Sequence, residues 1–443
     1  MFRKLLCGLS LFIFIMMSPD VVFGVGAGGF RNEVVGAKGM GRGSANVAQT
    51  DDPAAVHYNP AAIVHLDSSC VSLGYTLEMP KTTCKTATGT EESMESQNFF
   101  IPNFYLVDDF GLDDITFGLG VTAPYGLGTD WSDDSFSKYV STESYVGFYN
   151  INPTVAYQIN DALSVGVGIN YMSSDLDKYR KVNVSSVNTT LAGLGYPAAT
   201  IESDGDFNLK ADDGDAWGYN LGVLYKFAES HTLGLSYRSE VDFSYKGTVS
   251  MDGLGSGNTA ALFGAAYHTD METELTLPQS LAVGYAYRPS EKLTLELDVE
   301  WTAWSSVKQD LIEWSNETNA LRLAILNADN PGSKDWDDVF SVGLGINYKA
   351  TDMLELRCGY LFEETPVPED SFDTPLPDAD RHGITLGLGR AFKNGMTMDL
   401  SYMFLLFRNR DVTNNIGASS NADIDGRYEQ FVNIFAVGFT YKY

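Results

Sequence analysis

The chain has 443 residues and carries 29 Lys and Arg against 58 Asp and Glu, a formal net charge of −29 that repels nucleic acid and excludes it as a partner. It holds 24 Tyr, 25 Phe, 6 Trp and 43 Gly, a mix that suits strands with one lipid-facing and one polar, lumenal side. Four cysteines, one of them in the first ten residues, exclude a complete disulfide framework.

In chain order, the first element is an export signal. Arg3 and Lys4 form a positive start, Leu5 to Met17 is apolar, and Ser18 to Gly24 is polar to small, so residues 1–24 are predicted as a signal peptide cleaved after Gly24. The apolar run is shorter than the roughly 20 residues of a spanning helix, and no later segment is long and apolar enough to be one. The chain is therefore soluble or crosses a membrane with strands. Gly24 to Gly29 satisfies a G-x-G-x-x-G spacing, but it follows a signal peptide rather than a strand, which argues against dinucleotide binding.

Residues 25–66 are rich in Gly and Ala and lack alternation, so they are not barrel wall. Within them Asn59-Pro60-Ala61 is predicted to form a rigid turn beside a side chain able to bond the wall. Residues 67–443 are strand after strand with period-two alternation. Leu293, Leu295, Leu297, Val299 and Trp301 point one way; Thr294, Glu296, Asp298 and Glu300 point the other. Strands are expected near 69–79, 97–107, 114–124, 143–158, 162–178, 214–227, 230–247, 272–288, 291–307, 336–350, 353–365, 380–392, 395–409 and 426–443. An even count near fourteen fits a single-chain antiparallel outer-membrane β-barrel. So does the sorting of connections: tight turns such as Asn160-Asp161 and Lys393-Asn394 alternate with long polar loops at 179–213, 248–271, 308–335, 366–379 and 410–425. The last strand alternates aromatics up to Tyr443, the kind of end that barrel-assembly machinery reads.

The acidic pairs Asp51-Asp52, Asp133-Asp134, Asp212-Asp213 and Asp337-Asp338 read as solvation of loops, with divalent-cation bridging to lipopolysaccharide as the alternative. Cys70 and Cys84 either pair across a hairpin or remain free thiols. Arg238 and Glu240 are expected on one inward face, pairing with Glu296 or Glu300 or serving lumenal charge balance. His57, His65, His231, His268 and His382 show no metal spacing, and there is no G-x-S-x-G, so no catalytic residue, metal or cofactor is assigned.

Gly28-Gly29-Phe30, Gly39-Met40-Gly41-Arg42-Gly43, Asp51-Asp52-Pro53-Ala54-Ala55 and Asn59-Pro60-Ala61-Ala62-Ile63 resemble the N-terminal hatch of the FadL-like outer-membrane transporters, which carry long-chain fatty acids or aromatic hydrocarbons. Downstream, Phe117 to Thr129 resembles the family's kinked third strand, and Trp217 to Lys246 and Pro366 to Arg381 continue the likeness in register. The resemblance implies a fourteen-stranded barrel (67–443) plugged by a hatch (25–66), expected as a monomer in the outer membrane of a Gram-negative bacterium. It implies an external apolar groove, an inner pocket at Gly28, Gly29 and Phe30, and lateral exit into the bilayer at Pro124, Tyr125 and Gly126. Pro124 lacks a ladder donor, which suits a break in the wall. Arg180, Lys181 and Lys334 lie roughly where the family places basic residues for a ligand carboxylate; if none faces the pocket, a neutral hydrocarbon becomes the better ligand. A general or aromatic-hydrocarbon-selective porin and an outer-membrane lipid-modifying enzyme are the competing readings.

Overall fold

A computed structural model describes residues 28–443 apart from Glu33 and Ala199, and the side chain of Asp213 is left aside. The signal peptide and its cleavage site lie outside the described residues. Fourteen strands make the wall: β1 (Cys70–Thr86), β2 (Phe99–Asp108), β3 (Ile115–Thr122, continued by Gly126–Asp130), β4 (Glu143–Asn160), β5 (Leu163–Val182), β6 (Gly205–Ala228), β7 (His231–Arg238, continued by Val241–Asp252), β8 (Ala266–Leu277, continued by Ser280–Ser290), β9 (Leu293–Thr302), β10 (Val339–Thr351), β11 (Leu354–Glu363), β12 (Arg381–Ala391), β13 (Met396–Phe407) and β14 (Gly426–Lys442). Each pairs antiparallel with its neighbours, and β1 closes on β14 from Cys70↔Lys442 to Thr86↔Gly426. A closed ring leaves no unpaired edge, which is what lets strands cross hydrocarbon.

Alternation makes the two faces. On β9, Leu295, Leu297 and Val299 are exposed, while Glu296 and Asp298 are buried. Exposed leucines and buried carboxylates invert the order of a water-soluble protein and match a lipid-facing exterior around a polar lumen. Leu221, Val223, Leu233, Leu235, Leu344, Ile346, Leu386 and Phe439 extend the apolar exterior around the ring.

All fourteen expected strands are present, several of them longer than alternation marks. β6 begins at Gly205 rather than near 214, and β1 continues to Thr86. The β1 extension is mostly polar, so its apolar signal fades although the ladder continues, as at Lys85↔Arg427. The β6 extension turns its alternation over, burying Phe207, Leu209 and Ala211 inside while Asp206, Asn208, Lys210 and Asp212 face outward. Cys70 and Cys84 stand at the two ends of β1, and both are free. Fourteen residues of extended chain at about 3.3 Å each separate them far beyond disulfide reach, so the hairpin pairing is ruled out.

Residues 28–66 touch the inward side of many strands. A Cβ at Gly222 of β6 would lie 2.1 Å from Asn59 Oδ1; at Gly234 of β7, 2.1 Å from Val47 O; at Gly166 of β5, 2.4 Å from the Pro60 carbonyl carbon; at Gly359 of β11, 2.3 Å from Gly43 N. The wall glycines are thus seats for the backbone of the N-terminal segment. Arg42 fixes the segment by charge: it is fully buried, 2.9 Å from Asp51 and 3.5 Å from Glu296 of β9, and it donates to Asn46 Oδ1. Asp298 of β9 accepts from Asn46 N and Val47 N, capping two backbone donors that have no sheet partner.

Candidate functional site

The wall is interrupted between β2 and β3. β2 and β3 pair only from Phe104↔Val121 to Asp108↔Phe117. Beyond that, Phe99–Asn103 pair with β1 and Gly126–Asp130 pair with β4, but not with each other. The residues between the two halves of β3 are Ala123, Pro124 and Tyr125, so Pro124, Tyr125 and Gly126 all fall at the interruption. The N-terminal segment supplies the missing partner. Asn32 N donates to Pro124 O at 2.9 Å, Gly126 N donates to Phe30 O at 2.8 Å, and Asn32 Nδ2 donates to Ala123 O at 3.3 Å. The Phe99 ring covers Gly128 closely enough that a Cβ there would lie 2.5 Å from it.

Behind the interruption, toward the long loops, lies the largest apolar cluster. It includes Trp131, Phe148, Phe243, Tyr245, Trp304, Trp336, Phe372 and Tyr428, with Phe30 packed against it. The Phe30 ring sits 6.0 Å from Trp304 and 5.4 Å from Trp336, and the two indoles are 5.2 Å apart, edge to face. The long loops supply Trp304, Trp336 and Phe372, so they close this end of the ring with apolar side chains.

Gly28 and Gly29 both adopt positive φ, +61° and +74°, which aims successive N–H groups at one carboxylate. Asp378 Oδ1 accepts from Gly28 N at 3.2 Å and Oδ2 from Gly29 N at 3.1 Å, and Oδ2 also accepts from Thr365 Oγ1. A side chain at Gly29 would collide with Trp304, at 2.5 Å. These N–H groups are spent on Asp378 and are not open to a ligand. Asp378→Ala is expected to free the start of the segment; losing hydrogen bonds to a charged group weakens its anchorage by about 1.5–3 kcal/mol. Limited proteolysis after Gly28 reads the effect, and unchanged resistance would contradict the anchor.

The three predicted cations do not converge. Lys181 lies 2.8 Å from Asp133 and 2.7 Å from Asp206. Lys334 lies 2.5 Å from Asp373 and 3.5 Å from Asp310. Burial works against both charges there, but Asp310 and Asp373 hold the Lys334 ammonium above its ordinary range, and Lys178 and Lys334 hold Asp310 well below the carboxylate range. Lys181 and Lys334 are therefore already neutralised. Arg180 stacks on Phe207 at 4.5 Å, with no carboxylate at ion-pair distance among the described residues. Arg238 also departs from expectation. It donates to His57 and Asn170 rather than to Glu296 or Glu300, and Glu240 is exposed.

Asn59 is fully buried. Its Nδ2 donates to Val47 O at 2.7 Å and to Val223 O of β6 at 3.2 Å, and its Oδ1 accepts from Ala61 N at 3.1 Å. Pro60 then opens a short helical turn, Pro60–His65, with Ala61 buried against the wall. Sequence reasoning missed Asp378, Trp304 and Trp336. Asp378 lies inside a stretch already noted for its likeness, but an isolated Asp gives no sign that it will receive two distant glycines.

The family model described as "Outer membrane protein transport protein (OMPP1/FadL/TodX)" matches residues 23–443. The long-chain fatty acid transport protein of Escherichia coli K12 is 25% identical over 402 residues, covering 85% of this chain and 87% of that protein. Among solved structures, a Pseudomonas aeruginosa FadL homologue superposes with a TM-score of 0.79 at 17% identity, covering 93% of this chain and 99% of its own. The Pseudomonas putida toluene transporter TodX superposes with a TM-score of 0.69 at 19% identity, covering 94% and 99%.

Proposed function

Since the chain belongs to this family of outer membrane transport proteins for hydrophobic compounds, we propose that its cargo is a long-chain fatty acid and that residues 28–66 are a hatch controlling its exit through the wall. The naming of the E. coli relative supports the cargo. Arg180, a cation beside the apolar cluster without a carboxylate partner among the described residues, supports an acidic head.

One observation carries the exit route: Phe30 acts at both ends. Its ring lies against Trp304 and Trp336, and its carbonyl accepts from Gly126 at the interruption in β3. Cargo entering the aromatic cluster displaces the ring, and the displacement draws the carbonyl off Gly126. The gap between β2 and β3 then loses its cover. A dry route matters because each buried CH2 is worth about 0.8 kcal/mol, which passage through water forfeits. The route carries the apolar tail from the aromatic cluster to the bilayer without passing it through water.

The test is to purify the protein, extract bound lipid and identify it by mass spectrometry. One apolar tail per chain is expected. Phe30→Ala removes one wall of the cage, so it is expected to weaken retention about tenfold, in line with deleting part of an aromatic contact. Unaltered retention would sink the assigned pocket. The aromatic-hydrocarbon reading rests on the neutralised Lys181 and Lys334, and it gains if toluene, rather than oleate, is retained.

A further inference from the structure

A polar cavity of about 50 Å³ lies directly behind the interrupted strand, lined by Arg31, His57, Pro124, Tyr125, Arg238 and Glu300 among others. We infer that it is a transit station for the ionised head of the cargo, with Arg238 as the group that receives a carboxylate; the inference rests on the fatty-acid transport reading.

The charges in the lumen make Arg238 stand out. Arg31 faces Glu300 at 2.5 Å, Arg42 faces Asp51 at 2.9 Å, Arg357 faces Asp399 at 2.6 Å and Arg381 faces Glu363 at 2.5 Å. Arg238 donates only to neutral acceptors: Asn170 Oδ1 at 3.1 Å, His57 O at 3.0 Å and His57 Nδ1 at 3.1 Å. No carboxylate lies within ion-pair distance of it among the described residues. A cation withdrawn from water is normally paired, because desolvation is costly and only an anion offsets it fully. The nearest carboxylate in the cavity, Glu300, is taken by Arg31.

Size and position complete the argument. The volume exceeds the roughly 10–15 Å³ that one water needs, so a small polar head fits, whereas a long acyl chain does not. Pro124 and Tyr125 form part of the lining, so a head held at Arg238 lies just inside the gap through which the tail would leave. An acyl chain slides readily between two dry environments; the carboxylate is what such a route strands. A planar guanidinium gives it charge-assisted hydrogen bonds during the passage. A neutral hydrocarbon needs no such stop.

The experiment compares uptake of oleate and of tetradecane into proteoliposomes holding the full-length protein, Arg238→Gln or Arg238→Lys. Heat-modifiable migration confirms that each barrel is folded. Arg238→Gln is expected to lower oleate uptake about tenfold, the scale of one hydrogen bond to a charged group. Tetradecane uptake is expected to continue, and Arg238→Lys to recover most of the oleate uptake. Undiminished oleate uptake in Arg238→Gln would overturn the station. So would an equal loss of both cargoes, because Arg238 would then merely be holding His57 and the hatch. If the unaltered protein moves neither cargo, the transport reading itself has failed, an outcome readable before any variant is compared.

Discussion

Replacing Arg42 by Met is expected to loosen the N-terminal segment by about 3–5 kcal/mol while the barrel persists, because removing one member of a buried charge network leaves its partners unpaired. The guanidinium is fully buried and reaches Asp51, Asp52 and Glu296, the last two of them nearly inaccessible to water. Without it Asp52 and Glu296 lose the cation at ion-pair distance, whereas Asp51 keeps Lys38 at 2.8 Å. Asp51 contributes least, since its side chain is partly in water and screened. The wall does not depend on this network, because its backbone bonds close from β1 to β14. Two measurements separate the effects. Planar-bilayer recordings are expected to show larger and longer openings for Arg42→Met than for the parent, and protease is expected to cut within 28–66. A variant as quiet and as resistant as the parent would mean that the segment is held by packing alone.

The second large effect is steric. Gly222→Ala places a methyl group 2.1 Å from Asn59 Oδ1 and 2.8 Å from Ala61 N and Pro60 Cδ. Most of these neighbours are backbone or locked by a ring, so they cannot swing away as a surface side chain does. Asn59 is also held on two other sides, by Val47 O and by Val223 O. Overpacking of this kind costs about 1–3 kcal/mol. Here the cost should appear as an unseated Asn59-Pro60-Ala61 turn, raised conductance and a lower thermal transition. Gly193→Ala is the matched control: no heavy atom lies within 4 Å of the added methyl, and the glycine ends the helix Val184–Gly193. If Gly222→Ala melts and conducts like Gly193→Ala, the wall glycines are not seats for the segment.

The interior was legible in parts. Asn59-Pro60-Ala61 was read as a turn with a side chain able to reach the wall, and the structure has Asn59 bonded to Val223 of β6. The aromatic cage was not legible. Trp304 and Trp336 are separated by a long polar loop whose composition reads as solvation, and they meet Phe30 only after the loops fold inward. The pairing of two of the cations was hidden for a related reason. Lys181 and Lys334 have suitable chemistry for a carboxylate ligand, but acids brought from elsewhere in the chain reach them first.

The sequence by itself determined the class of fold. Period-two alternation alone also suits a soluble sandwich, but alternation together with short turns on one side and long polar loops on the other points to a barrel. Alternation is local, set by the pleat and by which face meets lipid, so it can be read residue by residue. Which charges are paired was decided only by tertiary structure. Arg42 with Glu296, Asp378 with Gly28 and Gly29, and Arg238 without a carboxylate all depend on ring closure around residues 28–66. Such contacts join positions from 68 to 350 residues apart, and nothing in the local pattern of either partner encodes the other.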